Sequence, residues 1–155
     1  MFRSNGIAQI ALLFVGGGLP LTSASAQSVY EVQLGMPSAV VESLIGEQVE
    51  NRTQESTLKN SEHWSGKSFD IFFCRKYVTA IRIKLDGSVK SFSRTVEAEK
   101  IVRGAPEMKF ESHTWGEVTA EWHKLGQGFF SISLSQHRDA PLEADRWSRV
   151  LQICS

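Results

Sequence analysis

The stretch that decides the fold is FDIFFCRKYVTAIRIKL, residues 69–85. Its first part is apolar and aromatic, and its second part alternates between apolar and polar positions, as β-strands do. Arg75-Lys76 lies between the two parts, and Asp86-Gly87 follows them as a turn signal. The stretch therefore predicts a β-hairpin, with Arg82 and Lys84 on its polar face.

A second β-hairpin is predicted at Val118–Leu134, around the glycine-containing connection Leu125–Gly128. Its last strand alternates apolar residues with serines, which gives one apolar face and one hydroxyl face. The side expected to face solvent comprises Thr119, Glu121, His123, Ser131 and Ser133, with Phe129 beside them.

Helical spacing of apolar residues predicts short helices that end at Gly46 and at Gly104. The polar segment 47–66 predicts a loop or a weak strand. Trp147, Val150, Leu151 and Cys154 recur at i, i+3, i+4 and i+7, which predicts a C-terminal helix within 139–153, with a strand as the alternative.

The two halves of the chain share an order of elements: a short helix, a tryptophan that opens a strand region, and a β-hairpin. The tryptophans are Trp64 and Trp115. This order predicts two repeats, at about 29–90 and 91–138. The predicted fold class is α+β, with two helix-plus-β-hairpin repeats that form one antiparallel sheet, helices on one face, and a C-terminal helix.

The segment LGMPSAVVESLIG, residues 34–46, resembles the opening of the SmpA/OmlA repeats, and residues 96–106 are similar to it but lack the Gly-Met start. This resemblance implies the β-lactamase-inhibitor-protein-like fold, in which tandem repeats form one sheet with a concave protein-binding surface. The cysteines depart from that inhibitor type, whose repeats are each stapled internally.

The first 26 residues are typical of a secretory signal peptide. Arg3 is followed by a short apolar run, and Ala24 and Ala26 form a cleavage site before Gln27. The run is shorter than the roughly 20 residues that a membrane-spanning helix needs. Cleavage after Ala26 predicts a mature domain, residues 27–155, in the periplasm or outside the cell.

Composition narrows the function classes. Hydrophobic residues make up 41% and charged residues 22% of the 155 residues, as in a globular protein. The 17 basic and 17 acidic residues balance, and removal of Arg3 with the leader leaves a formal charge of −1. Without a basic excess or a basic run, a nucleic-acid partner is not expected.

The chain has two cysteines, Cys74 and Cys154. In an oxidising compartment two such cysteines are expected to form a disulfide, which here would close a loop of about 80 residues and stabilise the fold by about 4 kcal/mol. A reactive or metal-binding thiol pair is the alternative, but there is no C-x-x-C motif.

No catalytic or cofactor motif is present. The four histidines show no metal-ligand spacing, there is no G-x-S-x-G or S-x-x-K, and no cofactor or metal is predicted. His63 and His113 are interpreted as surface polar residues, and their role stays open. Trp122 and Trp147 are expected in the core, and Trp64 and Trp115 in either place.

These observations favour an exported, non-catalytic protein-binding module of the bacterial envelope, either an assembly factor or an inhibitor. The alternatives are a carrier of small apolar ligands and an enzyme of unrecognised class. Exposed aromatic and polar side chains make effective contact surfaces. The predicted binding face consists of Arg82, Lys84, Thr119, Glu121, His123, Phe129, Ser131 and Ser133, with Trp64 and Trp115.

Overall fold

The computed structural model describes residues 28–54, 60–112, 116–124 and 128–150. These ranges contain two α-helices, α1 (Ser38–Ile45) and α2 (Val89–Arg103), and short 3₁₀ turns at Val29–Glu31 and Gly46–Gln48. The strands are β1 (Val49–Gln54), β2 (Ser61–Gly66), β3 (Phe69–Cys74), β4 (Tyr77–Leu85), β5 (Glu107–Ser112), β6 (Gly116–Lys124), β7 (Gly128–Gln136) and β8 (Glu143–Arg149). Neither α1 nor α2 has the length and apolar character that crossing a bilayer requires.

All eight strands form one antiparallel sheet in the order β1-β2-β3-β4-β8-β7-β6-β5. Each half of the described chain has a helix followed by a meander of four strands, and the two meanders meet where β4 pairs with β8. The edges of the sheet are β1 and β5. The centre of the sheet is therefore built from the last strand of each half.

The predicted α+β class with a C-terminal helix is wrong, because the described residues are mostly sheet and contain only two short α-helices. Within the segment predicted to form the C-terminal helix, residues 143–149 form β8, which lies between β4 and β7 in the sheet. Without it, both neighbouring strands would have unpaired backbone edges. Pairing on both sides outweighs a helical spacing over so few residues, since short helices are marginal without packing.

The polar segment 47–66 forms β1 and β2 rather than a loop. Trp64 supplies much of the reason, because its ring is buried at 6% exposure and packs 4.5 Å from Phe73, centroid to centroid. One buried aromatic residue thus fixes a strand that is otherwise polar.

A register shift between Phe72 and Phe73 reverses which side of the sheet the first side chains of β4 lie on. Phe72 pairs with Ala80 and Phe73 with Val78, so Thr79 is the additional residue of a β-bulge. The shift places Val78 in the core at 1% exposure and leaves Tyr77 exposed. Beyond the bulge, the alternation that the sequence predicts for Ile81, Arg82 and Ile83 is observed.

Two buried clusters lie on one side of the sheet. The first joins α1, through Val41 and Ile45, to apolar residues of β2, β3 and β4. The second joins α2, through Phe92 and Val96, to residues of β6, β7 and β8. We call this side the helix side and the opposite side of the sheet the open face.

Candidate functional site

The open face contains most of the residues predicted to bind. The cross-strand register from β4 through β8 and β7 to β6 puts Arg82 and Lys84 on the same face of the sheet as the predicted residues of β6 and β7. The predicted residues that share this face are Arg82, Lys84, Thr119, Glu121, His123, Phe129, Ser131 and Ser133. Ser131 and Ser133 are only 5% and 9% exposed, so larger neighbours cover them.

Of the two remaining predicted residues, one lies on the helix side and the other is outside the described residues. Trp64 lies in the first buried cluster on the helix side, with the Arg52 guanidinium 4.4 Å from its ring centroid. Trp115 lies outside the described residues, as does His113. The sequence predicts a core position for both Trp122 and Trp147. Trp122 is buried there, as expected, but the prediction is wrong for Trp147, which is half-buried on the open face.

Six planar side chains form a continuous line across the open face, which we call the ring row. Successive members are in ring or cation–π contact, with centroid or guanidinium distances between 4.0 and 6.0 Å. Five strands contribute to the ring row, which runs in the order His63, Phe72, Trp147, Arg149, Phe129, His123.

The continuity of the ring row depends on a small residue on β4. Ala80 is the β4 residue that lies between Phe72 of β3 and Arg149 of β8 in the cross-strand register. A methyl group leaves space above the strand, and the rings of Phe72 and Trp147 come to 6.0 Å across it. Stacked rings cover one another's faces, so a partner would meet mainly their edges.

A line of charged side chains runs beside the ring row. Arg82 donates to Asp145 at 2.8 Å and lies 3.7 Å from Asp70. Asp70 in turn lies 2.8 Å from Nε2 of His63. The hydrogen bond to Asp145 is the main cause that raises the pKa of Arg82, against the opposing effect of burial.

At the β5–β6 end of the open face, Glu121 accepts from Nζ of Lys109 at 2.6 Å and lies 3.0 Å from Nε2 of His123. Burial acts to raise the pKa of Glu121, but the hydrogen bonds from Lys109 and His123 outweigh it. The pKa therefore lies below its ordinary value of 4.5.

Arg149 differs from the other arginines of this face. Its guanidinium lies 4.0 Å from the Trp147 centroid and 5.2 Å from the Phe129 centroid. Burial lowers the pKa of Arg149, opposed by the charge of Glu121. Its Nε is buried and has no hydrogen-bond partner, which is also true of Arg82 and Arg146, so the difference lies in the absence of a carboxylate at its terminal nitrogens.

One group of side chains has donor types that could bind a metal ion. Ligand atoms of Glu107, Glu121 and His123 lie within 4.8 Å of one another. Lys109 already neutralises Glu121 at 2.6 Å, which disfavours a second cation there. A bound metal is not needed to explain this arrangement, because the contacts of Lys109 and His123 account for the carboxylate.

A second feature lies on the helix side, where the two buried clusters do not meet. A cleft of about 1020 Å³ separates the segment Val29–Gly35 from the end of α2. Its floor includes Ile81, Ile83 and Phe130. Arg146 also lines the cleft and contacts Glu99 at 3.3 Å.

Two predictions concern residues outside the described part of the chain. The predicted signal peptide is entirely there, and so is Cys154. Cys74 ends β3 and is not a free thiol. The bridge between Cys74 and Cys154 stays a prediction.

The sequence interpretation left the role of His63 open and missed five further members of the site: Asp70, Phe72, Asp145, Trp147 and Arg149. The first two alternate with buried residues of β3, a pattern already visible in FDIFF. The other three alternate along β8 as D-x-W-x-R, which a strand assignment would have placed on one face. The helical interpretation of this segment hid that alternation.

No protein-family model matches this chain, and no curated protein or solved structure matches it. The function is therefore argued from the geometry of the open face and of the cleft.

Proposed function

We propose that the protein is an exported, non-catalytic protein-binding module of the cell envelope and that its open face is the binding surface. The observation that supports this most is the ring row, a line of five rings and one guanidinium on the side of the sheet opposite to α1 and α2, the two α-helices of the described residues. Tryptophan and arginine are the residues most enriched at the energetic centres of protein interfaces.

The size of the open face is suited to a folded partner. Eight strands at about 4.8 Å spacing give a sheet roughly 34 Å wide. Strands of six to nine residues extend it by roughly 20 Å or more in the other direction. The product is close to the roughly 800 Å² that each partner contributes to a standard interface.

The chemistry of the open face also suits a protein. The ring row supplies apolar area, while the ion pairs of Arg82 and Glu121 beside it supply polar groups with fixed positions. An apolar centre flanked by polar contacts is the usual arrangement of a protein interface. The resemblance to the SmpA/OmlA repeats, whose joined sheet has a protein-binding surface, is consistent with this proposal.

The test is capture from an envelope extract with immobilised protein, followed by binding measurements on the purified pair. We expect a partner that is retained by the wild type and by Ile101→Ser, a control on the helix side where Ile101 is 88% exposed. Phe72→Ala and Trp147→Ala should lose it. Equal retention by all four proteins would contradict the proposal.

A carrier of small apolar ligands is the second candidate, and the cleft is the observation that favours it. A volume of about 1020 Å³ with apolar residues on its floor is at the upper end of the range for small-molecule sites. Extraction of the purified protein with organic solvent, followed by mass spectrometry, should release a stoichiometric apolar compound. An extract without such a compound would contradict this function.

A further inference from the structure

Arg149 is a partly buried cation of the open face for which the described residues provide no carboxylate partner. In the described part of the chain its side chain forms neither an ion pair nor a hydrogen bond, and its contacts are the rings of Trp147 and Phe129. Taking a guanidinium partly out of water without a counter-charge is unfavourable. Such an arrangement is typical of a site that is completed by a ligand.

The other half-buried arginines of the sheet have carboxylate partners. Arg82 contacts Asp145 at 2.8 Å, and Arg146 on the helix side contacts Glu99 at 3.3 Å. The charge of the Glu121 carboxylate raises the pKa of Arg149. This carboxylate forms its close contacts with Lys109 and His123, not with Arg149. The terminal nitrogens of Arg82 and Arg146 thus have carboxylate partners, whereas the described residues supply no carboxylate to Arg149. The buried Nε atom is unpaired in all three arginines.

We propose that Arg149 is the receptor for a single carboxylate of the partner protein, an aspartate or glutamate side chain that pairs end-on with both terminal nitrogens. The rings of Trp147 and Phe129 contact the guanidinium at 4.0 and 5.2 Å and restrict its movement in advance. A fixed planar fork suits bidentate pairing with a carboxylate. This inference rests on the proposed protein-binding function and identifies the chemistry of the partner at the centre of the ring row.

The surrounding charges favour a carboxylate over a phosphate group. Glu121 lies close enough for its charge to act on Arg149, although Lys109 compensates part of that charge. The remaining charge would repel a dianionic phosphate more strongly than a singly charged carboxylate. The charge of one guanidinium is also balanced by a single negative charge.

The first experiment uses acetate as the probe and follows the Nε–H and Cζ signals of arginine side chains by NMR at constant ionic strength. We expect a saturable shift of the Arg149 signals and no shift of the Arg146 signals, and phosphate should compete no better than acetate. A linear shift shared by all arginines, no shift at Arg149, or a tenfold preference for phosphate would overturn the assignment.

The second experiment measures binding of the captured partner to Arg149→Gln and Arg149→Lys. The first variant should weaken binding roughly tenfold or more. The second should weaken it less, because it keeps the charge and loses the fork. Wild-type affinity in Arg149→Gln, with loss in Trp147→Ala, would overturn the carboxylate site and leave the proposed function intact. Acetate binding without any captured partner would contradict the proposed function alone.

Discussion

The guanidinium of Arg149 lies 4.0 Å from the ring centroid of Trp147, two residues earlier on the same strand. Residues i and i+2 of a strand share a face, and the central position of β8 puts this pair in the middle of the open face. Its stacking joins Phe72 on one half of the sheet to Phe129 on the other. The pair is therefore the link on which the continuity of the ring row depends.

Two tryptophans on opposite sides of the sheet should respond differently to alanine substitution. Trp122 is 7% exposed and donates from Nε1 to the carbonyl oxygen of Gly104 at 2.8 Å. Trp122→Ala should lower the free energy of unfolding by about 3–5 kcal/mol. Trp147→Ala should lower it by about 1 kcal/mol, the magnitude of one aromatic contact.

Urea denaturation of both variants measures this difference, and the same proteins can be used for partner binding. A stability loss for Trp147→Ala as large as that for Trp122→Ala would mean that Trp147 serves the core. The ring row would then be part of the core and could not be treated as a separate binding surface.

The ion pair of Arg82 with Asp145 should be worth more than an exposed pair. The two side chains are 30% and 14% exposed, whereas those of Lys100 and Glu97 on α2 are 40% and 68% exposed. A double-mutant cycle with Arg82→Met and Asp145→Asn should give a coupling of about 1 kcal/mol. The cycle with Lys100→Met and Glu97→Gln is the control and should give about 0.3 kcal/mol. Equal couplings would contradict this ranking.

Glu121 should make stability depend on pH in the acid range. Its folded pKa lies below the ordinary value of 4.5, so the stability it contributes is complete above that value and is lost as the pH falls through the folded pKa. The difference in unfolding free energy between the wild type and Glu121→Gln should shrink as the pH falls below 4.5.

Carboxyl titration by NMR checks the cause directly. The pKa of Glu121 should lie below 4.5 in the wild type and rise in Lys109→Met, which removes the hydrogen bond at 2.6 Å. A pKa at or above 4.5 in the wild type would contradict the argument.

The predicted disulfide has support from the path of the chain. The amide of Val150 donates to the carbonyl oxygen of Thr79 on β4. Tyr77, two residues before Thr79 on β4, pairs with Cys74 of β3. Cys154 is four residues beyond Val150, a reach of about 14 Å at most. Alkylation of the protein purified without reductant, followed by mass spectrometry, should find both cysteines unavailable to the reagent. A free thiol at either position would contradict the bridge.

The strands and helices with strong local patterns could be predicted from the sequence. The hairpin of β3 and β4 and the alternation of β7 follow from residue type and period, and so does the shared polar face of Arg82 and Ser131. That face could be predicted because alternation fixes it once the strands are known.

β8 could not be predicted in the same way, because its stability comes from pairing with two strands that lie far from it in sequence. The bulge at Thr79 likewise depends on tertiary register. The stacking of Phe72 against Trp147 requires β3 and β8 to be two positions apart in the sheet, which no local pattern encodes.

The central claim is that the partner binds the open face, and photo-crosslinking in the native envelope tests it most directly. A photoreactive residue placed at Lys84 lies on the open face, and one placed at Ile101 lies on the exposed end of α2. The account predicts one discrete adduct from position 84 that disappears when Trp147→Ala is added, and none from position 101. Adducts from position 101 alone, or the same adducts from both positions, would contradict it.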